Sequence, residues 1–179
     1  VYDAIWRSPI KKQPWIGLML SLACLFGFAV FFGNLFNGRA LYLQIGAMMG
    51  TCMSANVFFH IISNQHKFMR SLRAGQPHDL ELGKRAKMRS LHNHYMTFPV
   101  IFLMLSAHFP RLHAADWKVP ILAVVILALM SVKHLMNTRY HFKQWLASIL
   151  GVVLLAAVLI GVFLKQTSAA SQTGVAVDP

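Results

Sequence analysis

Several histidines of this 179-residue chain lie where long apolar runs meet polar segments. His60 stands near the end of one apolar run, and His92 and His94 open the next. His134 lies near the end of a third run. If each run is a helix, the three helices bring these imidazoles to one level. A histidine in or beside a hydrocarbon layer is costly without a partner, so the group forms a functional hypothesis.

Imidazole nitrogens commonly bind haem iron and other metals, and facing helices can supply an axial pair. Haem b held by two histidines fits this set best, with His92 and His134 as the first metal-ligand candidates. A copper or zinc site built from imidazoles is the second interpretation. The apolar runs hold no acidic residue, which disfavours a hard-cation or carboxylate-bridged di-iron site. The structural alternative is that these histidines are only interfacial polar residues.

His108 stands sixteen residues after His92, which is roughly 24 Å along a helix. It therefore cannot share the site of the other histidines. Two interpretations remain open for it: a ligand of a second haem near the opposite membrane face, or an interfacial residue beside Pro110.

Polar side chains accompany the histidines at the same ends of the runs. Asn56, His60 and Asn64 recur at four-residue spacing, so they share one helical face. Further polar residues follow in the later runs, and we predict that they bind a planar polar anion: Asn93, Tyr95, Thr97, Asn137 and Arg139. Contact with lipid headgroups is the alternative role for this second set.

The composition predicts a polytopic helical membrane protein. The chain is 56% hydrophobic but only 12% charged, roughly half the charged share of a soluble domain. Its two cysteines, Cys24 and Cys52, form no disulfide framework, zinc knuckle or covalent c-type haem motif. No signal peptide is expected.

Five apolar runs predict an all-α bundle with five crossings. They cover about 14–36, 41–63, 93–109, 119–136 and 145–164, followed by a flexible tail over 165–179. Gly46, Gly50 and Ser54 form a row of small residues that lets two helices approach closely. The long polar segment 64–91 is expected to form two short amphipathic pieces that lie on the membrane surface.

The distribution of basic residues predicts the orientation in the membrane. Thirteen of the seventeen Lys and Arg residues fall on one side of the five predicted crossings and four on the other. The positive-inside rule places the N-terminus in the cytoplasm and the C-terminus in the periplasm of a bacterial inner membrane. The net charge of +12 is confined to loops, which argues against nucleic acid as a partner.

Three stretches resemble a known family. They read GRALYLQIGAMMGTCMSANVFFHIISNQHK (38–67), LRAGQPHD (72–79) and RSLHNHYMTFPVIFLMLSAHFP (89–110). Together they resemble the latter half of the membrane domain of bacterial cytochrome-c-coupled urate oxidase (urate hydroxylase). By this resemblance, His92, His108 and His134 correspond to histidines of the family pattern. The resemblance implies that urate is oxidised and that electrons leave through a haem protein.

The sequence therefore predicts a membrane-embedded redox module. Electrons would pass from a cytoplasmic-side site for urate, or a related purine, towards a periplasmic cytochrome c. The alternative is a non-catalytic integral subunit without a cofactor, which anchors other subunits of a larger membrane complex. A transporter is less favoured because no crossing is broken by a Gly/Pro pair or carries an acidic coupling residue.

Overall fold

The computed structural model describes residues 1–8, 13–75, 80–113, 116–141 and 143–173. The described part is helical and contains no strand, which confirms the all-α class. Its elements, in chain order, are α1 (Tyr2–Arg7), α2 (Pro14–Leu35), α3 (Gly38–Ala55), a π-helix (Asn56–Ile62), α4 (Ser63–Arg73), α5 (Leu80–Leu105), a 3₁₀ turn (Ser106–His108), α6 (Pro110–His113), α7 (Lys118–Asn137) and α8 (Trp145–Thr173).

Four stretches of the described chain are helical, long and apolar enough to cross a membrane: Pro14–Leu35, Gly38–Arg73, Lys118–Asn137 and Trp145–Gln166. The expected crossing over 93–109 is not among these four. It corresponds to the apolar end of α5, which begins earlier and ends at Leu105. The fifth crossing and the orientation remain predictions of the sequence.

The polar segment 64–91 does not form two separate short helices, because its two helical parts belong to longer helices. α3, the π-helix and α4 run on as one helix of 36 residues, Gly38–Arg73, which is roughly 54 Å long. The hydrocarbon core is only about 30 Å thick. A helix that has formed over its apolar part extends at little further cost, so α4 continues α3. The chain then turns at Gly75, whose positive φ of 62° suits glycine, and α5 packs back against α4.

Small residues bring α3 and α5 close together, as their spacing predicted. A Cβ atom at Gly46 would lie 3.1 Å from the Leu103 Cβ, and one at Gly50 would lie 3.9 Å from the Val100 Cγ1. The contacts run in opposite chain directions, so the two helices are antiparallel. Ser54, the third member of the row, is exposed. Two of the three small residues therefore form the predicted close approach.

The main core lies where α2, α3, α5 and α7 meet. Its buried members are Ala29, Leu41, Tyr42, Ile45, Met49, Leu103, Leu122 and Ile126. Tyr42 is fully buried, and its hydroxyl lies 3.0 Å from the carbonyl oxygen of Leu112 and 2.9 Å from that of Lys118. The phenol thus ties α3 to the chain that enters α7.

Replacing Tyr42 with phenylalanine is expected to lower the free energy of unfolding by about 1–3 kcal/mol. The ring would still fill its space, but the two carbonyl groups would lose their shared donor in a water-poor site. Tyr140→Phe is the matched control, because Tyr140 is 81% exposed. Denaturant unfolding in detergent micelles measures both variants, and equal effects would contradict the role given to the Tyr42 hydroxyl.

α8 packs along α7 and exposes much of its apolar surface. Ile121 and Val125 of α7 contact Ile160 and Phe163 of α8. Other α8 side chains are largely exposed: Leu150, Val153, Leu154, Leu155 and Val158. α8 continues to Thr173, beyond the predicted end at residue 164, so the first part of the predicted flexible tail is helical. Residues 174–179 of that tail lie outside the described residues.

Candidate functional site

One face of α5 supplies the base of a polar cluster. Arg89, His92 and Asn93 stand at i, i+3 and i+4, so their side chains point to the same side of the helix. Arg89 is only 3% exposed. A buried guanidinium needs acceptors around it, since an unpaired buried charge is very costly. The cluster provides those acceptors from α1 and from the π-helix.

The short helix α1 closes one side of the cluster. The Tyr2 hydroxyl lies 2.8 Å from Nδ1 of His92, and the Trp6 ring lies 4.1 Å from the His92 ring between centroids. The Trp6 Nε1–H donates to the Ser21 hydroxyl of α2, 3.2 Å away. Burial raises the pKa of Tyr2, although the Asn56 hydrogen bond and the Arg89 charge oppose the rise. The phenol therefore keeps its proton.

Asn56, the first residue of the π-helix, is the centre of the hydrogen-bond network and is 2% exposed. Its Oδ1 accepts from Arg89, 3.2 Å away. Its Nδ2 donates to the Tyr2 hydroxyl at 3.1 Å and to the Asn93 Oδ1 at 2.8 Å. The Asn93 Nδ2 in turn donates to the carbonyl oxygen of Met53 at 2.9 Å. Rare π-helical turns often occur at functional sites, and this one carries two cluster residues, Asn56 and His60.

Asp3 joins the cationic groups of the cluster. Its carboxylate lies 2.8 Å from an Arg89 nitrogen, 2.7 Å from Arg7 Nε and 2.6 Å from His60 Nε2. Burial alone would raise the pKa of Asp3. The His60 hydrogen bond and the charges of Arg89, His60 and Arg7 outweigh it, and the pKa of this carboxyl lies below its ordinary value. The ionised form therefore helps to hold α1 against the bundle.

The contribution of Asp3 to stability is expected to disappear in acid. Because the folded state lowers the pKa of Asp3, its contribution is fully present above the unfolded value of about 3.8 and is lost as the pH falls through the lower folded value. We expect Asp3→Asn to be less stable than the parent at neutral pH and to converge with it in acid. Thermal unfolding of both proteins across the pH range measures this, and a constant difference would contradict it.

The remaining predicted site residues lie outside this cluster. The Nδ1 of His134 lies 3.0 Å from the Tyr95 hydroxyl, on the contact between α5 and α7. Arg139 is exposed and contacts the ring and hydroxyl of Tyr140, not Asn93. The Thr97 hydroxyl donates to the backbone carbonyl of Asn93. The other predicted residues are exposed: His94, His108 and Asn137.

The structure thus joins His60, His92 and Asn93 and leaves the other candidates elsewhere. Asn56, which the sequence analysis placed on the same helical face as His60, also belongs to the cluster. The structure adds residues that the sequence analysis did not name: Tyr2, Asp3, Trp6 and Arg89. Two signals in the sequence pointed to them. The YDAIWR segment pairs Tyr2 with Trp6 and Asp3 with Arg7 at four-residue spacing. Arg89 shares a helical face with His92 and Asn93.

A cavity of about 370 Å³ opens beside the cluster. Its lining includes the π-helix residues Asn56, Phe59 and His60 and the α1 residues Tyr2, Asp3 and Arg7. In the lining the charge of Arg7 balances that of Asp3, and Arg89, which is buried beside the cavity and bonded to Asp3, adds one further positive charge. The cavity therefore combines aromatic surface, donors and acceptors, and a local excess of positive charge, which together suit a planar anion.

The predicted haem or metal ligands are not gathered into one group by the described part of the chain. No three or more His, Cys, Asp or Glu side chains in the described part of the chain could together hold a metal ion. Three of the predicted ligands use a ring nitrogen for a protein hydrogen bond: His60 with Asp3, His92 with Tyr2, and His134 with Tyr95. His92 and His134 thus contact different partners through Nδ1, and their ligation of a haem stays a prediction of the sequence.

Fold and site define an all-helical protein with four helices able to cross a membrane and a buried cationic cluster beside an open cavity. The family model described as urate oxidase N-terminal matches residues 1–164, and the chain belongs to that family. Comparison with curated proteins gives no match, and comparison with solved structures gives none either.

Proposed function

We propose that this chain is the urate-handling membrane unit of a urate-oxidising system. In this proposal, urate or a related purine binds in the cavity between α1 and the π-helix. The observation that carries the proposal is the open cavity lined by Arg7, with the buried cation of Arg89 beside it, in a chain of the urate oxidase N-terminal family.

The chemistry of the cavity matches a purine anion. Urate is flat, carries negative charge at neutral pH, and presents alternating N–H and C=O groups along its edge. The rings of Tyr2 and Phe59 offer apolar faces, and Arg7, which is largely exposed, offers a cation. The Asn56 side chain and His60 supply polar groups at the same wall. Few convergent polar groups on an apolar lining are typical of small-molecule sites.

The oxidation needs an electron acceptor, for which we propose a cytochrome c. Urate would lose an electron pair and two protons and gain oxygen from water, and oxidised haem groups would take the electrons singly. We propose that the haem belongs to the cytochrome or is held with another membrane subunit, since no three or more described His, Cys, Asp or Glu side chains could together hold a metal ion. The multi-pass chain would sit in the bacterial inner membrane.

The test is urate-dependent reduction of added oxidised cytochrome c by the full chain in lipid nanodiscs. We expect a rate that saturates with urate and a urate KM raised several-fold in Arg7→Gln, because that change removes the cation nearest the cavity. Arg85→Gln removes the same charge from an exposed site outside the cavity lining and is expected to leave the KM unchanged. Equal effects of the two variants would contradict binding at this cavity.

The exposed apolar surface of α8 favours a second candidate, a non-catalytic anchor subunit. In that role the exposed apolar side chains of α8 would pack against other membrane subunits. The same assay separates the two. An anchor would show neither urate binding nor urate-dependent reduction, and it would co-purify with other membrane subunits after gentle solubilisation.

A further inference from the structure

The hydrogen-bond network around Asn56 has a fixed direction. Arg89 can only donate, so the atom of Asn56 that faces it must be the acceptor Oδ1. The Met53 carbonyl can only accept, so the atom of Asn93 that faces it must be the donor Nδ2. The hydrogen bonds to Arg89 and to the Met53 carbonyl therefore fix the orientation of both side-chain amides. The Asn56 Nδ2 therefore donates to Asn93 and to Tyr2.

The direction continues from Asn56 to His92. The Tyr2 oxygen accepts from Asn56, and the acceptor that the described residues offer to its own proton is the Nδ1 of His92, 2.8 Å away. A buried hydroxyl proton without an acceptor would be costly, so the phenol donates to His92. A neutral imidazole that accepts at Nδ1 carries its proton on Nε2. The Nε2 atom makes no hydrogen bond to a described residue and is not fully buried. An N–H donor is thus left without an acceptor among the described residues.

We propose that His92 is a hydrogen-bond donor through its Nε2–H, and that it binds a carbonyl or oxyanion oxygen of a ligand and not a metal ion. Tyr2, Asn56 and Arg89 are positioning residues, because they set which nitrogen of His92 carries the proton. His92 is not itself a lining residue of the cavity but contacts Tyr2, which is one, and the identity of the ligand, urate or a related purine, rests on the proposed function. Which nitrogen of His92 carries the proton does not depend on the proposed function.

The test is nitrogen NMR of the full chain in nanodiscs with ¹⁵N-labelled histidine. The His92 signals are identified by their loss in His92→Gln. We expect an unprotonated Nδ1 and a protonated Nε2, and a shift of the Nε2 signal when urate is added. The His134 signals, from a ring hydrogen-bonded to Tyr95 outside the network, serve as the internal control.

Two variants test the positioning residues. In Asn56→Asp, the new carboxylate keeps its bond to Arg89 but can only accept, so the Tyr2 hydroxyl would donate to it. Tyr2 would then accept from His92, and the proton would move to Nδ1. In Tyr2→Phe, His92 loses the hydrogen bond at Nδ1, and both neutral tautomers, protonated at Nδ1 or at Nε2, are expected to be populated. If Tyr2 and Asn56 had only a structural role, the two nitrogen signals of His92 would not change in either variant. Tyr2→Phe keeps the test valid if Asn56→Asp fails to fold.

The results separate this proposal from the proposed function. A His92 protonated at Nδ1 in the parent protein would overturn the donor role, even if urate reduced cytochrome c. A haem absorption band lost in His92→Gln would also overturn it. A protonated Nε2 that urate does not shift would overturn the assigned ligand, and with no urate-dependent reduction it would overturn the proposed function as well.

Discussion

Replacement of Arg89 by methionine is expected to lower the free energy of unfolding by about 3 kcal/mol. Removing one member of a buried ion pair leaves the other without compensation, at a cost of about 3–5 kcal/mol. Arg89 is almost fully buried, but the carboxylate of Asp3 is about half-exposed and keeps Arg7 and His60, which favours the lower end. The Oδ1 of Asn56 would also lose its donor.

Denaturant unfolding in detergent micelles measures the Arg89 effect. Arg85→Met is the matched control, since Arg85 is exposed on the same helix and the same charge is removed. Arg89→Lys should fall between the two, because an ammonium group cannot reproduce the forked contact with Asp3 and Asn56. If Arg89→Met were as stable as Arg85→Met, the network would not hold α1 in place. The urate-dependent activity should fall with Arg89→Met, since α1 forms part of the cavity wall.

Replacement of Gly38 by alanine is expected to destabilise the bundle by about 3 kcal/mol, at the upper end of the usual range for overpacking. A Cβ atom at this position would lie 1.6 Å from the backbone carbonyl oxygen of His113, which is far inside van der Waals contact. Backbone atoms of α6 cannot rotate away as a side chain can, so α3 and α6 would have to separate. The hydrogen bonds from Tyr42 to Leu112 and Lys118 lie next to this contact and would be strained with it.

Gly27→Ala is the matched control for Gly38. Gly27 lies within α2, and a Cβ atom there would meet nothing within 4 Å. Alanine in a helix interior is favoured over glycine by about 0.5–1 kcal/mol, so this variant should be slightly more stable than the parent. The two substitutions are chemically identical and are expected to have opposite signs. Thermal unfolding of both variants measures this, and effects of the same sign would contradict the close approach of α3 and α6.

The proposed role of His92 also explains a feature of the network that packing does not require. Each side-chain amide nitrogen and oxygen of Asn56 and Asn93 has a hydrogen-bond partner. Buried polar groups without partners are costly, so a network of this kind has one favoured arrangement. That arrangement ends at a single imidazole, which it holds in one protonation form.

The sequence by itself determined the helical class and the apolar stretches, because helix formation depends on local residue type and the apolar runs are long. The helices α2 and α7 begin and end within one residue of the predicted runs. The Gly46 and Gly50 contact also followed from four-residue spacing, since that spacing aligns residues on one helical face. These are properties of single helices, and the periodicity of residue types along the sequence is enough to predict them.

Only the tertiary structure decided which polar residues meet. His60, His92 and His134 stand at similar ends of their helices, yet rotation about each helix axis turns His134 towards Tyr95 and the other two towards α1. Depth along a helix can be counted from the sequence, whereas the rotation depends on how all neighbouring helices pack. The role of α1 was missed for the same reason, because its six residues acquire their function only from the partners that the folded chain brings to them.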